Sequence, residues 1–207
     1  MKISLQCIYD TKWLSLAKLT VPNIVGYCTK HGYDWNIQAV QEYKSDSGYD
    51  KLREIRKLFE NNKADVVVSL DCDLHITNYN IKIEDFLNDT FDFYITHGAN
   101  TYNAGVFILK KSGWSYWFID YLLSKQGQPN MHCEQDAILA YIDEFGTKDI
   151  CVLPHPSINS FMYDLYPEYS NVKHEEGNWQ EGDFILHLPG VSMDKRHQIL
   201  SNVKVIK

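Results

Sequence analysis

Two carboxylates one residue apart, Asp71-Cys72-Asp73, follow directly on the run Asp65 to Leu70 (DVVVSL), which is apolar on both faces. Such a run reads as a strand buried centrally in a parallel sheet under helices. Residues at its carboxyl end face the ligand crevice of an open α/β sheet. Two carboxylates held there are costly unless something positive joins them, and a divalent cation is the natural partner. Hard oxygen donors select manganese or magnesium. D-x-D is also common in solvated loops, so its position after a buried strand carries the metal reading.

Three further patterns hold residues able to do chemistry. Thr101 to Phe107 (TYNAGVF) reads as a polar turn feeding a strand. Gly105 permits close backbone approach and Asn103 offers hydroxyls a donor and an acceptor, although a plain turn explains the pattern equally well. Glu134-Gln135-Asp136 opens a helix, where acidic side chains suit the first turn electrostatically, so helix stabilisation competes fully with catalysis. His187-Leu188-Pro189-Gly190 ends a strand and is followed by Lys195-Arg196. A lone histidine is more often a core residue. One joined to a glycine turn and a lysine, in a chain that already has D-x-D, reads as a metal ligand beside a diphosphate contact. The other seven histidines form no pattern, and His75 reads as packing beside the carboxylates.

The elements that must position these groups alternate. Lys2 to Tyr9 reads as an opening strand, and Thr20 to His31 as a helix with Pro22 in its first turn. Trp35 to Val40 is a second strand, and Tyr49 to Asn61 an amphipathic helix with Leu52, Ile55, Leu58 and Phe59 on one face. Strands follow at 91–96, 106–109 and 183–188, and helices at 114–123 and 134–145. The class is therefore α/β, one domain over 1–207, with a mixed, mainly parallel sheet flanked by helices.

The 207 residues carry a formal charge of −7, which argues against a general nucleic-acid binder. With 44% apolar and 23% charged residues, the chain is an ordinary globule and not a disordered one. Five scattered cysteines without a C-x-x-C pair indicate free thiols in a reducing compartment. No signal peptide or membrane-length apolar run is visible, so a cytoplasmic location is expected.

In order, LDCDLHITN, YNAGVFILKKSGW, EQDAI and HLPGVSMDK resemble the GT-A glycosyltransferases. They are most similar to the galactosyl-, mannosyl- and xylosyltransferase family of fungal mannan and plant xyloglucan synthesis. Bacterial lipooligosaccharide α-galactosyltransferases share the NAG-V and E/D-Q-D elements. YDKLREIRKLF and Asn159-Ser160-Phe161 with its following tyrosines resemble further segments of the fungal and plant family. The resemblance spans roughly residues 49 to 196. It implies a GT-A fold and metal-dependent transfer of a hexose from a nucleotide diphosphate donor, UDP-linked before GDP-linked, to a glycan or glycoprotein hydroxyl. Asp71, Asp73 and His187 would hold Mn2+ or Mg2+, Asp73 the more directly. Gly190 and Lys195 would meet the diphosphate, Lys51 the nucleotide-sugar, and Tyr9 and Asp10 the base and ribose. Asn103, Ala104 and Gly105 would line the sugar and acceptor cleft. Gln135 would lie below the anomeric carbon with Glu134 and Asp136 beside it, and an amide there implies retention. The final glycine-to-lysine spacing is stretched relative to the family, so Lys195 and Arg196 both stand. The family's membrane anchor has no counterpart in the sequence, and further domains remain open.

Two readings compete. VVVSLDCDLHIT also mimics the opening motif of haloacid-dehalogenase-type phosphatases, but it lies a third of the way along and no late paired-aspartate motif follows. A non-catalytic nucleotide-sugar or glycan-binding module is the other.

Overall fold

A computed structural model describes residues 1–40, 48–98, 101–165 and 171–207. Tyr166 and Tyr169, two of the tyrosines after Phe161, lie outside the described residues.

Strand β1 (Ile3–Asp10) leads through a short 3-10 turn into helix α1 (Leu14–His31), then β2 (Asp34–Val40), helix α2 (Gly48–Glu60) and β3 (Val66–Leu70). β1 pairs in parallel with β2 on one side and with β3 on the other. The chain thus leaves β1 in opposite directions along the sheet. That switch opens a crevice at the carboxyl ends of β1 and β3, where Tyr9, Asp10 and Asp71 lie.

β4 (Leu74–Ile76) departs into a second sheet, whereas β5 (Phe93–His97) and β6 (Tyr102–Lys110) return to the first. Helices α3 (Gly113–Ser124) and α4 (Glu134–Phe145) precede the edge strand β7 (Ile150–Val152). The order β2-β1-β3-β6-β5-β7 has β6 antiparallel to both neighbours, so the sheet is mixed. β8 (Ser160–Phe161) and β9 (Ile185–His187) complete a three-stranded sheet in the order β4-β9-β8, and helix α5 (Met193–Asn202) follows.

Alternation along the central strands divides the core. Val66, Val68, Leu70, Val106 and Ile108 pack on one face with Ile24 and Tyr27 of α1. Val67, Phe107 and Leu109 point to the other face, against α2, α3 and α4. Leu52, Ile55 and Phe59 of α2 are fully buried there, as their spacing requires, while Leu58 packs at the margin.

Several expectations need correction. Pro22 lies well inside α1, not in its first turn. It is exposed, as is Lys18, whose carbonyl loses its helical donor, so water can serve that carbonyl at little cost. Asn103, Ala104 and Gly105 belong to β6 itself and not to a turn before it. The late strand is only Ile185–His187, and α5 was not anticipated.

Candidate active site

β9 runs antiparallel to β4 with His187 opposite Leu74, and the Leu188 N–H donates to the Asp73 carbonyl at 3.0 Å. This pairing carries His187 to the D-x-D segment across 114 residues of sequence. His187 Nε2 lies 3.2 Å from Asp73 Oδ1 and 3.8 Å from Asp71 Oδ2. One ligand atom from each of Asp71, Asp73 and His187 falls within 4.8 Å of the others, the only such metal-capable group among the described residues. Two carboxylates and one imidazole form a donor set that fits a divalent cation, manganese more readily than magnesium once nitrogen is included.

Charge around this group is arranged unevenly. Lys51 of α2, buried, bridges Asp71 and Glu134, the latter at 2.6 Å. Burial alone would lower the Lys51 ammonium, but Asp71 and then Glu134 outweigh it and hold it well above the ordinary lysine value. Burial and the nearby Asp73 charge raise Asp71 against the opposing pull of Lys51 and His187. Asp73 moves down despite burial, because His187 and Arg196 favour its charged form.

Of Lys195 and Arg196, between which the stretched spacing did not choose, Arg196 is the one that borders the cleft. It projects from α5 with Nη2 2.8 Å from Asp73 Oδ2 and donates from Nε to the Leu188 carbonyl at 3.0 Å. Its guanidinium lies 4.7 Å from the Trp13 ring centre, a cation–π contact. Lys195, its neighbour, is exposed and outside the cleft.

These groups line a cleft of about 600 Å³, within the range of small-molecule sites. Tyr9, Asp10, Lys51, Asp71, Asp73, Asn103, Ala104, Gly105, Glu134, Gln135, His187 and Gly190 all border it. Asp10 also caps the turn before α1 by accepting from Lys12 N at 2.8 Å. Gly190, at φ +74°, turns the chain between β9 and α5. Gln135 Oε1 accepts from Ala104 N at 3.0 Å, fixing the side-chain amide at the cleft wall. Asp136 turns away. Its Oδ2 accepts from the N–H groups of His132 and Cys133 at 2.8 and 3.2 Å, so it serves as the cap of α4 and does not border the cleft.

Gly105 and Asn103 have structural tasks within the site. A Cβ on Gly105 would fall 2.1 Å from His187 Cε1, so the missing side chain seats the imidazole. Asn103 Oδ1 already accepts from Gly105 N at 2.9 Å and from Asn159 Nδ2 at 2.8 Å. His75 packs away from the carboxylates, its Nε2 3.3 Å from the Leu19 carbonyl.

A mixed sheet with carboxylates at the β3 end, a histidine returned beside them and an adjoining small-molecule cleft is the arrangement of the GT-A class of glycosyltransferase. The profile of the galactosyl transferase GMA12/MNN10 family matches residues 87–198, and the chain belongs to that family. A probable alpha-1,6-mannosyltransferase, MNN10 of Saccharomyces cerevisiae, is 23% identical over an alignment of 228 residues covering 90% of this chain. The chain spans 58% of that relative's length. Among solved structures, a glycosyltransferase involved in glycosylation of the major capsid of PBCV-1 superposes with a TM-score of 0.77. The two share 17% identity over 97% of this chain and 99% of that one. The galactosyltransferase LgtC, solved with donor and acceptor sugar analogs, superposes with a TM-score of 0.58 at 8% identity, covering 99% and 97%. No helix among the described residues is long and apolar enough to cross a membrane.

Proposed function

We propose that this chain transfers a hexose or related sugar from a nucleoside-diphosphate sugar, UDP-linked in preference to GDP-linked, to a hydroxyl of a glycan or glycoprotein. The observation that carries this reading is the convergence of Asp71, Asp73 and His187 within 4.8 Å at the border of a 600 Å³ cleft. A bound manganese or magnesium ion would supply positive charge where the departing diphosphate gathers negative charge.

The chain's own residues supply the rest. Lys51 fixes Asp71 from behind and leaves Oδ2 on the His187 side. Arg196 holds Asp73 and adds a permanent cation beside Gly190, the place assigned at first to Lys195. Tyr9 and Asp10 stand at the β1 end, where a base and ribose would lie. Glu134 is neutralised by Lys51 and therefore poorly placed to act as a base or nucleophile. By the family resemblance Gln135, which borders the cleft, would lie beneath the anomeric carbon, and an amide orients without abstracting a proton. The acceptor hydroxyl would approach from the leaving-group side and give its proton to the departing phosphate oxygen, with retention of configuration.

The test is turnover of a panel of UDP- and GDP-sugars with simple glycoside acceptors, in manganese and in EDTA. Product formed only with the metal, in the donor's anomeric configuration by NMR, is expected. Turnover undiminished by EDTA would refute the metal reading, and an inverted first product would refute the role of Gln135.

A further inference from the structure

Hydrogen-bond polarity can be followed from the backbone of β6 to the metal-facing edge of His187. The Gly105 N–H can only donate, so the Asn103 atom it meets at 2.9 Å is the amide oxygen. That oxygen also receives Asn159 Nδ2 at 2.8 Å, which fixes the nitrogen side of the Asn159 amide. The other side of Asn159 is therefore its oxygen, and it lies 3.0 Å from His187 Nδ1. An oxygen there accepts only, so Nδ1 must carry a proton. In the metal-free protein Nε2 also donates, to Asp73 Oδ1 at 3.2 Å, and it is this proton, not the one on Nδ1, that a divalent cation between Asp71, Asp73 and His187 would displace.

Burial and anchoring make this chain of bonds decisive. Asn159 is wholly buried and His187 is 1% exposed, so water does not compete for these groups. Gly105 is fixed in turn, since its carbonyl accepts from Asp71 N at 2.8 Å. The same strand that positions one carboxylate thus sets the orientation of the imidazole opposite it. Asn159 is itself held by its place just before β8, which pairs with β9 through Phe161 and His187.

We propose that Asn159, oriented by Asn103, is the positioning residue that keeps the proton on His187 Nδ1 and so presents Nε2 to a divalent cation. Outer partners of this kind fix tautomer and ring direction, and their loss typically weakens metal affinity about 10- to 100-fold. The inference rests on the metal reading above and deepens it. It also gives Asn103 an internal task, leaving only its amide nitrogen for a sugar hydroxyl.

The test has two parts. In metal-free protein with 15N-labelled histidine, the His187 signal, assigned by its loss in His187→Gln, should show a directly bonded proton on Nδ1. A bare Nδ1 would overturn the proposal, and this reading needs neither metal nor a variant of Asn159. Calorimetric titration with manganese in the presence of UDP should then show Asn159→Ala binding about 10- to 100-fold more weakly. Asn159→Asp keeps an acceptor for Nδ1 but sets its second oxygen against Asn103 Oδ1, where Nδ2 now donates at 2.8 Å, so its loss should be clearly smaller than that of Asn159→Ala without vanishing. Affinity unchanged in Asn159→Ala, or lost equally in both variants, would contradict the proposal. Should the parent protein bind no manganese, the metal reading fails, while the histidine spectrum still decides the hydrogen-bond chain.

Discussion

Gly105→Ala is a small substitution that the structure makes severe. The added Cβ would sit 2.1 Å from His187 Cε1 and 2.9 Å from both His187 Nδ1 and Asn103 Oδ1. Carbon atoms not bonded to each other approach to about 3.5 Å, so the imidazole and strand must separate by roughly 1.4 Å. Strand β6 has little freedom to yield, because Gly105 accepts from Asp71 N and the adjacent Val106 is in register with Leu70. The imidazole is hemmed in by Asn159 and by the Phe161 ring, whose centre is 5.5 Å from its own. Metal ligands tolerate displacements of only about 0.2 Å, so a shift of this size removes His187 from the ligand set. Overpacking should also cost about 1–3 kcal/mol, or roughly 2–4 °C in Tm for each kcal/mol in a chain of this length. Calorimetric titration with manganese and UDP should show at least about tenfold weaker binding, by analogy with loss of an outer partner. Gly113→Ala is the matched control, since a Cβ there meets nothing within 4 Å. A Gly105→Ala protein that folds normally and binds manganese like its parent would refute the reasoning.

Lys51→Met should destabilise the fold by about 3–5 kcal/mol in urea unfolding, nearer the lower figure because Asp71 opens partly to the cleft. A loss below about 1 kcal/mol would mean that Asp71 and Glu134 do not depend on Lys51. Arg196→Ala should weaken UDP binding and lower Tm through loss of the Asp73, Leu188 and Trp13 contacts, whereas exposed Lys195→Ala should change stability by less than about 0.5 kcal/mol. Equal effects of the two on UDP binding would contradict the assignment. Burial, with Asp34 adding to it, pushes the Cys28 thiol up to about 12 from 9.0. Its neutral form therefore supports the fold fully below pH 9, and that support is lost as pH rises from 9 toward 12. By pH 10.5 the loss should reach about 2 kcal/mol, at about 1.36 kcal/mol per unit, and Cys28→Ala should show a correspondingly shallower alkaline decline in urea unfolding. Parallel declines in the two proteins would disprove this.

Much of the architecture was legible because periodicity survives burial. DVVVSL is apolar on both faces because helices cover both, and α2 presents Leu52, Ile55 and Phe59 to the core at helical spacing. The carboxylates were legible from their place after that strand, and His187 from the glycine turn behind it. What escaped were choices made by partners distant in sequence. Asn103 reads as a turn residue because a polar side chain so close to buried strand positions is costly, and the Gly105 N–H together with Asn159, 56 residues on, offsets that cost. Lys195 and Arg196 differ by one residue, about 100° around a helix, and without α5 in view nothing favoured either. Asp136 carries the same sequence signal as Glu134, yet one caps the helix and the other meets Lys51. Pro22 misplaced the start of α1 because its cost depends on whether the freed carbonyl reaches water.

Anomalous diffraction from crystals grown with manganese and UDP tests the central claim most directly. The account predicts one strong manganese peak within about 2.0–2.4 Å of an Asp71 or Asp73 oxygen and of His187 Nε2, with the diphosphate on its open side toward Gly190 and Arg196. A nucleotide seated in the cleft with no manganese between these three residues, or manganese held elsewhere, would contradict it.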